Sequence, residues 1–197
     1  MTTVRFQSTE DVSAAAALVV PAVAAGGVVL LPTETFYGLG ADPWSPEGVD
    51  KVYRMKGRPQ GMALPVLCGN WEQLERLAEV PERYRARLLR AWPGAVTVVL
   101  AARVKMPAAP GGTVAVRLPG HELLRQLLER VGPLTGTSAN LHGQDAAREA
   151  STALAGLAES PDVVLDGGLA AGGAPSTLVD LTGPEPRVLR EGKTAWS

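Results

Sequence analysis

No charged residue occurs from Ala14 through Leu31, a stretch long enough to raise the question of a membrane span. Pro21 breaks it, Gly26-Gly27 breaks it again, and Glu10 and Asp11 stand where a secretory signal carries positive charge. The stretch therefore divides in two. A helix comes first, with Ser8 or Thr9 as its cap and Gly26 at its end, and Val28-Val29-Leu30-Leu31 follows as a short buried strand. A soluble, cytoplasmic chain with no membrane contact is the expectation.

Strand and helix signals alternate from there. Ser45-Pro46-Glu47 opens a helix that runs towards Met55, with proline at the first helical position, and Ala63–Cys68 reads as a strand. Asn70-Trp71-Glu72-Gln73 is a capping box for a helix through Ala78, and an Arg-rich helix over Glu82–Ala91 stops at Pro93-Gly94. Strands are expected at Val96–Leu100 and Val114–Arg117, then a helix over Glu122–Val131 and a short strand near Leu134. A last helix near Ala146–Ala158 and strands at Val163–Leu165 and Thr177–Asp180 complete the pattern. Asp166–Pro175, rich in glycine and alanine, is a surface loop beside Ser176. Mixed order without strict βαβ regularity predicts an α/β (α+β) fold, a twisted mixed sheet flanked by helices. With 46% hydrophobic residues in 197, one domain over residues 1–197 can bury its own core.

A net charge of −1 excludes a protein that grips nucleic acid by bulk electrostatics, so any basic patch is local. Cys68 is the only cysteine, which rules out an internal disulfide and suits a reducing compartment. It reads as a small core residue.

Two strings carry the chemistry. Lys56-Gly57-Arg58-Pro59 sets a mobile point charge beside a planar cationic fork, a pair suited to following negative charge on a polyphosphate. Thr137-Ser138-Ala139-Asn140 adds a hydroxyl and a carboxamide at alternate positions, neutral groups for a nucleotide. Helix C-termini favour cations, so a purely structural Lys56 stays open.

Around them lie Pro32-Thr33-Glu34-Thr35-Phe36-Tyr37-Gly38-Leu39-Gly40, Trp92-Pro93-Gly94, Val116-Arg117-Leu118-Pro119, Pro175-Ser176-Thr177-Leu178-Val179-Asp180 and Leu189-Arg190-Glu191-Gly192. In that order these blocks resemble the YrdC-like family, whose TsaC-type members are L-threonylcarbamoyladenylate synthases. The resemblance implies a YrdC-like fold with a large concave substrate cleft. It also implies formation of threonylcarbamoyl-AMP and pyrophosphate from L-threonine, bicarbonate and ATP, with Mg²⁺ carried on the ATP phosphates. A transferase complex acting on tRNA would be the partner. Position by position, Thr33, Tyr37, Arg117 and Ser176 fall on the threonine side. Lys56, Arg58, Thr113, Thr137, Ser138, Asn140 and Arg190 fall on the nucleotide side, with Lys56, Arg58, Ser138 and Asn140 as the catalytic group. Tyr37 has a core reading as well, and Thr35 and Thr137 have readings as turn caps. Two positions depart from the pattern: Ala63-Leu64 replaces a Pro-Leu pair, and Leu67 stands where some members have a threonine-contacting histidine. A second class stays open, an RNA-binding or ribosome-associated paralog without the synthase activity.

Other motifs fail. Gly192-Lys193-Thr194 imitates the end of a P-loop, but the required earlier glycine is Arg187. His121-Glu122 begins like a zinc-protease motif, yet the second histidine falls at Arg125. No metal-ligating set is expected. Glu34 invites a metal role or a structural one, and His142 a ligand contact or an exposed loop position.

Overall fold

The computed structural model describes residues 1–141 and 143–196; the His142 expectation lies outside them. In chain order the elements are β1 (Thr2–Arg5), α1 (Asp11–Ala24), β2 (Val29–Leu31), β3 (Gly38–Gly40), α2 (Pro46–Lys56), β4 (Val66–Leu67) and α3 (Trp71–Leu77). They continue as β5 (Ala78–Glu79), α4 (Glu82–Ala91), β6 (Val96–Ala102), β7 (Thr113–Arg117), α5 (Glu122–Val131), β8 (Leu134–Thr135) and β9 (Thr137–Ser138). The last are α6 (Ala150–Ala155), β10 (Val163–Asp166), β11 (Thr177–Asp180) and β12 (Arg187–Arg190).

These strands form two mixed sheets. One has the order β1-β10-β2-β3-β9; the other runs β12-β11-β6-β7-β4-β8, with β5 added against β6. Strand β2 is buried on both faces, as a continuous apolar run requires. Its Val29 and Leu31 join a cluster with Val12, Val19, Leu124 and Leu128 from α1 and α5. Leu30 turns the other way into the larger core, which takes in Tyr37, Val52, Met55, Leu74, Val98 and Val116.

Local chemistry explains several boundaries. Helix α1 carries Pro21 inside it and has no side-chain cap from Ser8 or Thr9. Asp11 Oδ2 instead accepts from the Gln7 and Ser8 N–H groups at 2.8 and 2.9 Å. Ser45 caps α2 as expected, accepting from Gly48 N at 3.1 Å. The capping box at Asn70 is displaced: Asn70 accepts from Gln73 N, whereas the Gln73 side chain accepts from Gly69 N and donates to Leu128 O. The expected strand over Ala63–Cys68 shrinks to β4, and the helix near Ala146–Ala158 shrinks to α6. Both segments are partly exposed and lack a long periodic apolar face.

Among the described residues no helix is long and apolar enough to cross a membrane. A hollow of about 540 Å³ lies in the loop that joins β6 to β7, lined by Arg103, Lys105, Met106, Ala109 and neighbours rather than by the expected site residues.

Candidate active site

Helix α2 ends at Lys56, and Gly57 follows with φ of 56°, the left-handed conformation that closes a helix without side-chain strain. The chain leaves so that Lys56 turns inward, only 3% exposed. Its ammonium donates to Ser138 O, to Asn140 O at 2.8 Å and to Asn140 Oδ1 at 3.2 Å. Three donors thus meet three acceptors. Burial, with the Arg58 charge beside it, pulls the Lys56 pKa down to about 8. The Asn140 amide N–H₂ is committed to Leu141 O and Gln144 O. Lys56 and Asn140 therefore lock the Ser-Ala-Asn turn against the end of α2, and the Ser138 side chain stays exposed.

Arg58 is half-buried; among the described residues it makes one bond, from Nη2 to Ala63 O at 3.2 Å, and its sealed Nε has no partner. Burial lowers its pKa. Of the two cations in the motif, Arg58 is the one with nitrogens to spare.

A second cluster gathers at the end of β7. Arg117, 6% exposed, donates from Nε to Gly94 O at 3.1 Å and from Nη2 to Glu34 Oε1 at 2.6 Å. Burial works to raise the Glu34 pKa, but the Arg117 guanidinium and the adjoining Gly120 N–H outweigh it and hold the carboxyl below its ordinary value. Arg190 donates to Ser176 O at 2.8 and 3.2 Å, and Ser176 Oγ lies 2.8 Å from Thr97 Oγ1. Burial and the nearby Arg117 charge lower the Arg190 pKa. Lys193 Nζ closes the group, donating to Glu34 O at 3.1 Å and Gly172 O at 3.4 Å.

The turn over residues 33–36 ties the two clusters together. Thr33 Oγ1 donates to Phe36 O at 2.7 Å and accepts from the Thr35 and Phe36 N–H groups. From there the chain enters β3, whose Gly38 pairs with Ser138 of the first cluster, while Glu34 reaches Arg117 of the second.

The sequence expectations divide accordingly. Lys56, Arg58, Ser138 and Asn140 come together, as do Arg117, Ser176 and Arg190. Tyr37 takes its core reading, a correction to its place on the threonine side: it is 0% exposed, and its hydroxyl donates to Gly168 O while accepting from Gly167 N. The Thr33 hydroxyl is likewise spent on its turn. Thr137 is buried beside the Ser138 position. Thr113 begins β7, four residues from Arg117, roughly 13 Å away at strand spacing. Leu67 is buried in the α1/α5 core, so no threonine contact comes from it. Glu34 as a metal ligand gives way to the Arg117 ion pair. Among the described residues, no group of three or more His, Cys, Asp or Glu is placed to hold a metal ion.

The family model Sua5_yciO_yrdC, described as telomere recombination, matches residues 21–192. This chain belongs to the Sua5/YciO/YrdC family. A Mycobacterium tuberculosis relative is 38% identical over 177 residues, covering 88% of this chain and 82% of its own. A threonylcarbamoyl-AMP synthase of Pseudomonas aeruginosa is 36% identical over 160 residues, covering 79% of this chain and 86% of its own. The crystal structure of Pyrococcus abyssi Sua5 complexed with L-threonine superposes with a TM-score of 0.85 at 34% identity, over 97% of this chain. This chain spans 57% of that longer one.

Three participants escaped the sequence reading. Thr97 carries no motif signal, and Gly94, though within the Trp92-Pro93-Gly94 block, takes part through its carbonyl, which the residue type does not announce. Lys193 lay in plain view after Gly192, where a Cβ would come within 2.2 Å of Pro175 O. That glycine lets the C-terminal segment run against Pro175–Thr177, with Lys193 N bonding Pro175 O at 2.8 Å.

Proposed function

We propose that this protein is an L-threonylcarbamoyladenylate synthase. The observation that carries the reading is the pair of cationic clusters joined by the turn over residues 33–36. One suits a polyphosphate and the other suits a small carboxylate, in a chain whose relatives include named threonylcarbamoyl-AMP synthases. The threonine amine, in its neutral form, bonds to the carbon of bicarbonate with loss of one water to give a carbamate; a carbamate oxygen attacks the α-phosphorus of ATP, the bond to the β-phosphate oxygen breaks, and pyrophosphate leaves. The nucleophile is already anionic, so the protein's task is alignment, exclusion of water and stabilisation of charge on the leaving group.

Arg58, with its unspent nitrogens, meets the phosphates. Lys56 holds the Ser138–Asn140 turn and adds its charge, and the Ser138 hydroxyl, with Thr113 and Thr137, faces the nucleotide, while Arg190, expected there, stays beside Ser176 and Arg117. Arg117 takes the threonine carboxylate and Ser176 adjoins it. Mg²⁺ enters as part of the MgATP substrate, since it keeps most of its waters and needs few protein ligands. Residues 1–197 act as one cytoplasmic domain whose product is consumed by a transferase complex acting on tRNA.

The test is to incubate the protein with ATP, Mg²⁺, bicarbonate and L-threonine, omitting each in turn, while following pyrophosphate and threonylcarbamoyl-AMP by mass spectrometry. Product that requires every component supports the assignment. No product from folded protein overturns it, and salt-sensitive RNA binding in that case supports the paralog reading.

A further inference from the structure

We propose that Glu34 receives the α-ammonium of the amino-acid substrate, so that Arg117 and Glu34 together read a zwitterion. The inference deepens the function proposed above and rests on Arg117 as the carboxylate clamp. The guanidinium presents three nitrogens, and two are committed on one edge: Nε to Gly94 O and Nη2 to Glu34 Oε1. Among the described residues Nη1 has no protein partner, and it is not among the nitrogens sealed from solvent. A carboxylate arriving at this fork meets Nη1 first. Glu34 already sits on the neighbouring nitrogen of the same group, 2.6 Å away. In an α-amino acid the ammonium is carried by the carbon next to the carboxylate, so docking that carboxylate on Arg117 brings the ammonium alongside Glu34.

Charge selects the same orientation. Arg190 and Lys193 flank the fork and repel an ammonium, and Glu34 is the acid in contact with this cluster. Its Oε2 is sealed from solvent, with no partner among the described residues, so the ammonium is received at Oε1, which has lone-pair capacity beyond its bond to Arg117. With Arg117 holding the carboxyl below its ordinary value, the group stays anionic at neutral pH.

The experiment compares L-threonine with 3-hydroxybutyrate, which keeps the carboxylate and the hydroxyl and has hydrogen in place of the ammonium. Both are titrated calorimetrically, without ATP, into the wild-type protein and Glu34→Gln. The amide keeps an acceptor for Arg117 and loses the charge. The wild type is expected to prefer threonine by about tenfold or more, the scale of a hydrogen bond between charged groups. Glu34→Gln is expected to bind the two ligands nearly alike, with 3-hydroxybutyrate bound as in the wild type. Equal weakening of both ligands overturns the inference, because Glu34 then acts only by orienting Arg117; an unchanged preference also overturns it. Equal affinity of the wild type for both ligands does so with no variant at all, which covers a Gln variant that fails to fold. Absence of any threonine binding to the wild type removes the underlying function as well, and so is told apart from failure at Glu34 alone.

Discussion

Lys56 makes the pH dependence of stability a direct readout of the site. Its ammonium is buried, and its pKa falls from 10.5 to about 8. Between those values the unfolded chain binds a proton that the folded chain has released, so stability rises with pH across the window. Below pH 8 both states carry the charge, and the fold bears the whole cost of burying it. A shift of that size corresponds to about 3 kcal/mol in all, of which roughly 2.5 kcal/mol appears between pH 7 and pH 10. Lys56→Met removes the titration. Urea unfolding of wild type and variant at pH 7, 8, 9 and 10 isolates it, because every other titrating group cancels in the difference. Wild-type stability minus variant stability is expected to climb by that amount. A difference flat to within about 0.5 kcal/mol, the usual scatter of such comparisons, would refute the claim that Lys56 is buried as a cation. Binding of an ATP analogue should follow the opposite course. Above pH 8 the neutral amine has two N–H groups for three carbonyl acceptors, the Ser138–Asn140 turn loosens, and affinity declines in the wild type.

Arg58→Ala should cut pyrophosphate release by about a hundredfold or more and move the melting temperature little, because among the described residues the side chain makes one bond, to Ala63 O; steady-state rates and a thermal melt check both. Arg117→Ala should raise the threonine KM more than the ATP KM and destabilise the fold by about 3–5 kcal/mol, since Glu34 is left charged and unpaired; the reverse KM order would assign Arg117 to the nucleotide. His121 caps α5 by accepting from Leu124 N at 3.2 Å, and burial lowers its pKa below 6.5. Its folded pKa lies under the unfolded one, so its contribution is full above pH 6.5 and lost as pH falls below it. His121→Asn keeps the cap without the titration and should show a shallower loss of stability in urea melts between pH 7 and 5.

Legibility followed the range of each interaction. Helix α2 could be read because its start and stop are local chemistry: Ser45, Pro46 and Gly57 act within one turn of their own positions. The buried strand β2 was equally plain, since Val, Leu and Leu bounded by glycine and proline have few other fates. The division into two sheets was not. It depends on β3 and β9, glycine-rich or two residues long, which pair only because the folded chain brings them side by side. The site shows the same limit. Arg58, Ser138 and Arg117 were visible as residue types, but the partner that orients Arg117 stands 83 positions away in a turn with no pairing signal. Tyr37 offered the same pattern whether it faced a ligand or the core, and only the Gly167-Gly168 backbone around its hydroxyl decides between them.

The bonding of the cations points to a division of labour within the motifs. Lys56 meets three convergent oxygens, and a compact ammonium with three rotatable donors fits such a nest where a planar guanidinium does not. Arg58 and Arg117 each keep unspent nitrogens, and a planar fork matches two oxygens of an incoming phosphate or carboxylate. Lysine at 56 therefore builds and arginine at 58 binds. Lys56→Arg keeps the charge yet should lose activity nearly as far as Lys56→Met, because the larger group cannot satisfy the Ser138 and Asn140 carbonyls without opening the turn. Arg58→Lys should retain part of the activity, since a phosphate still meets a cation. Pyrophosphate release by the two conservative variants tests the assignment. If Lys56→Arg is the more active of the two, charge rather than donor geometry governs position 56, and the building role is wrong.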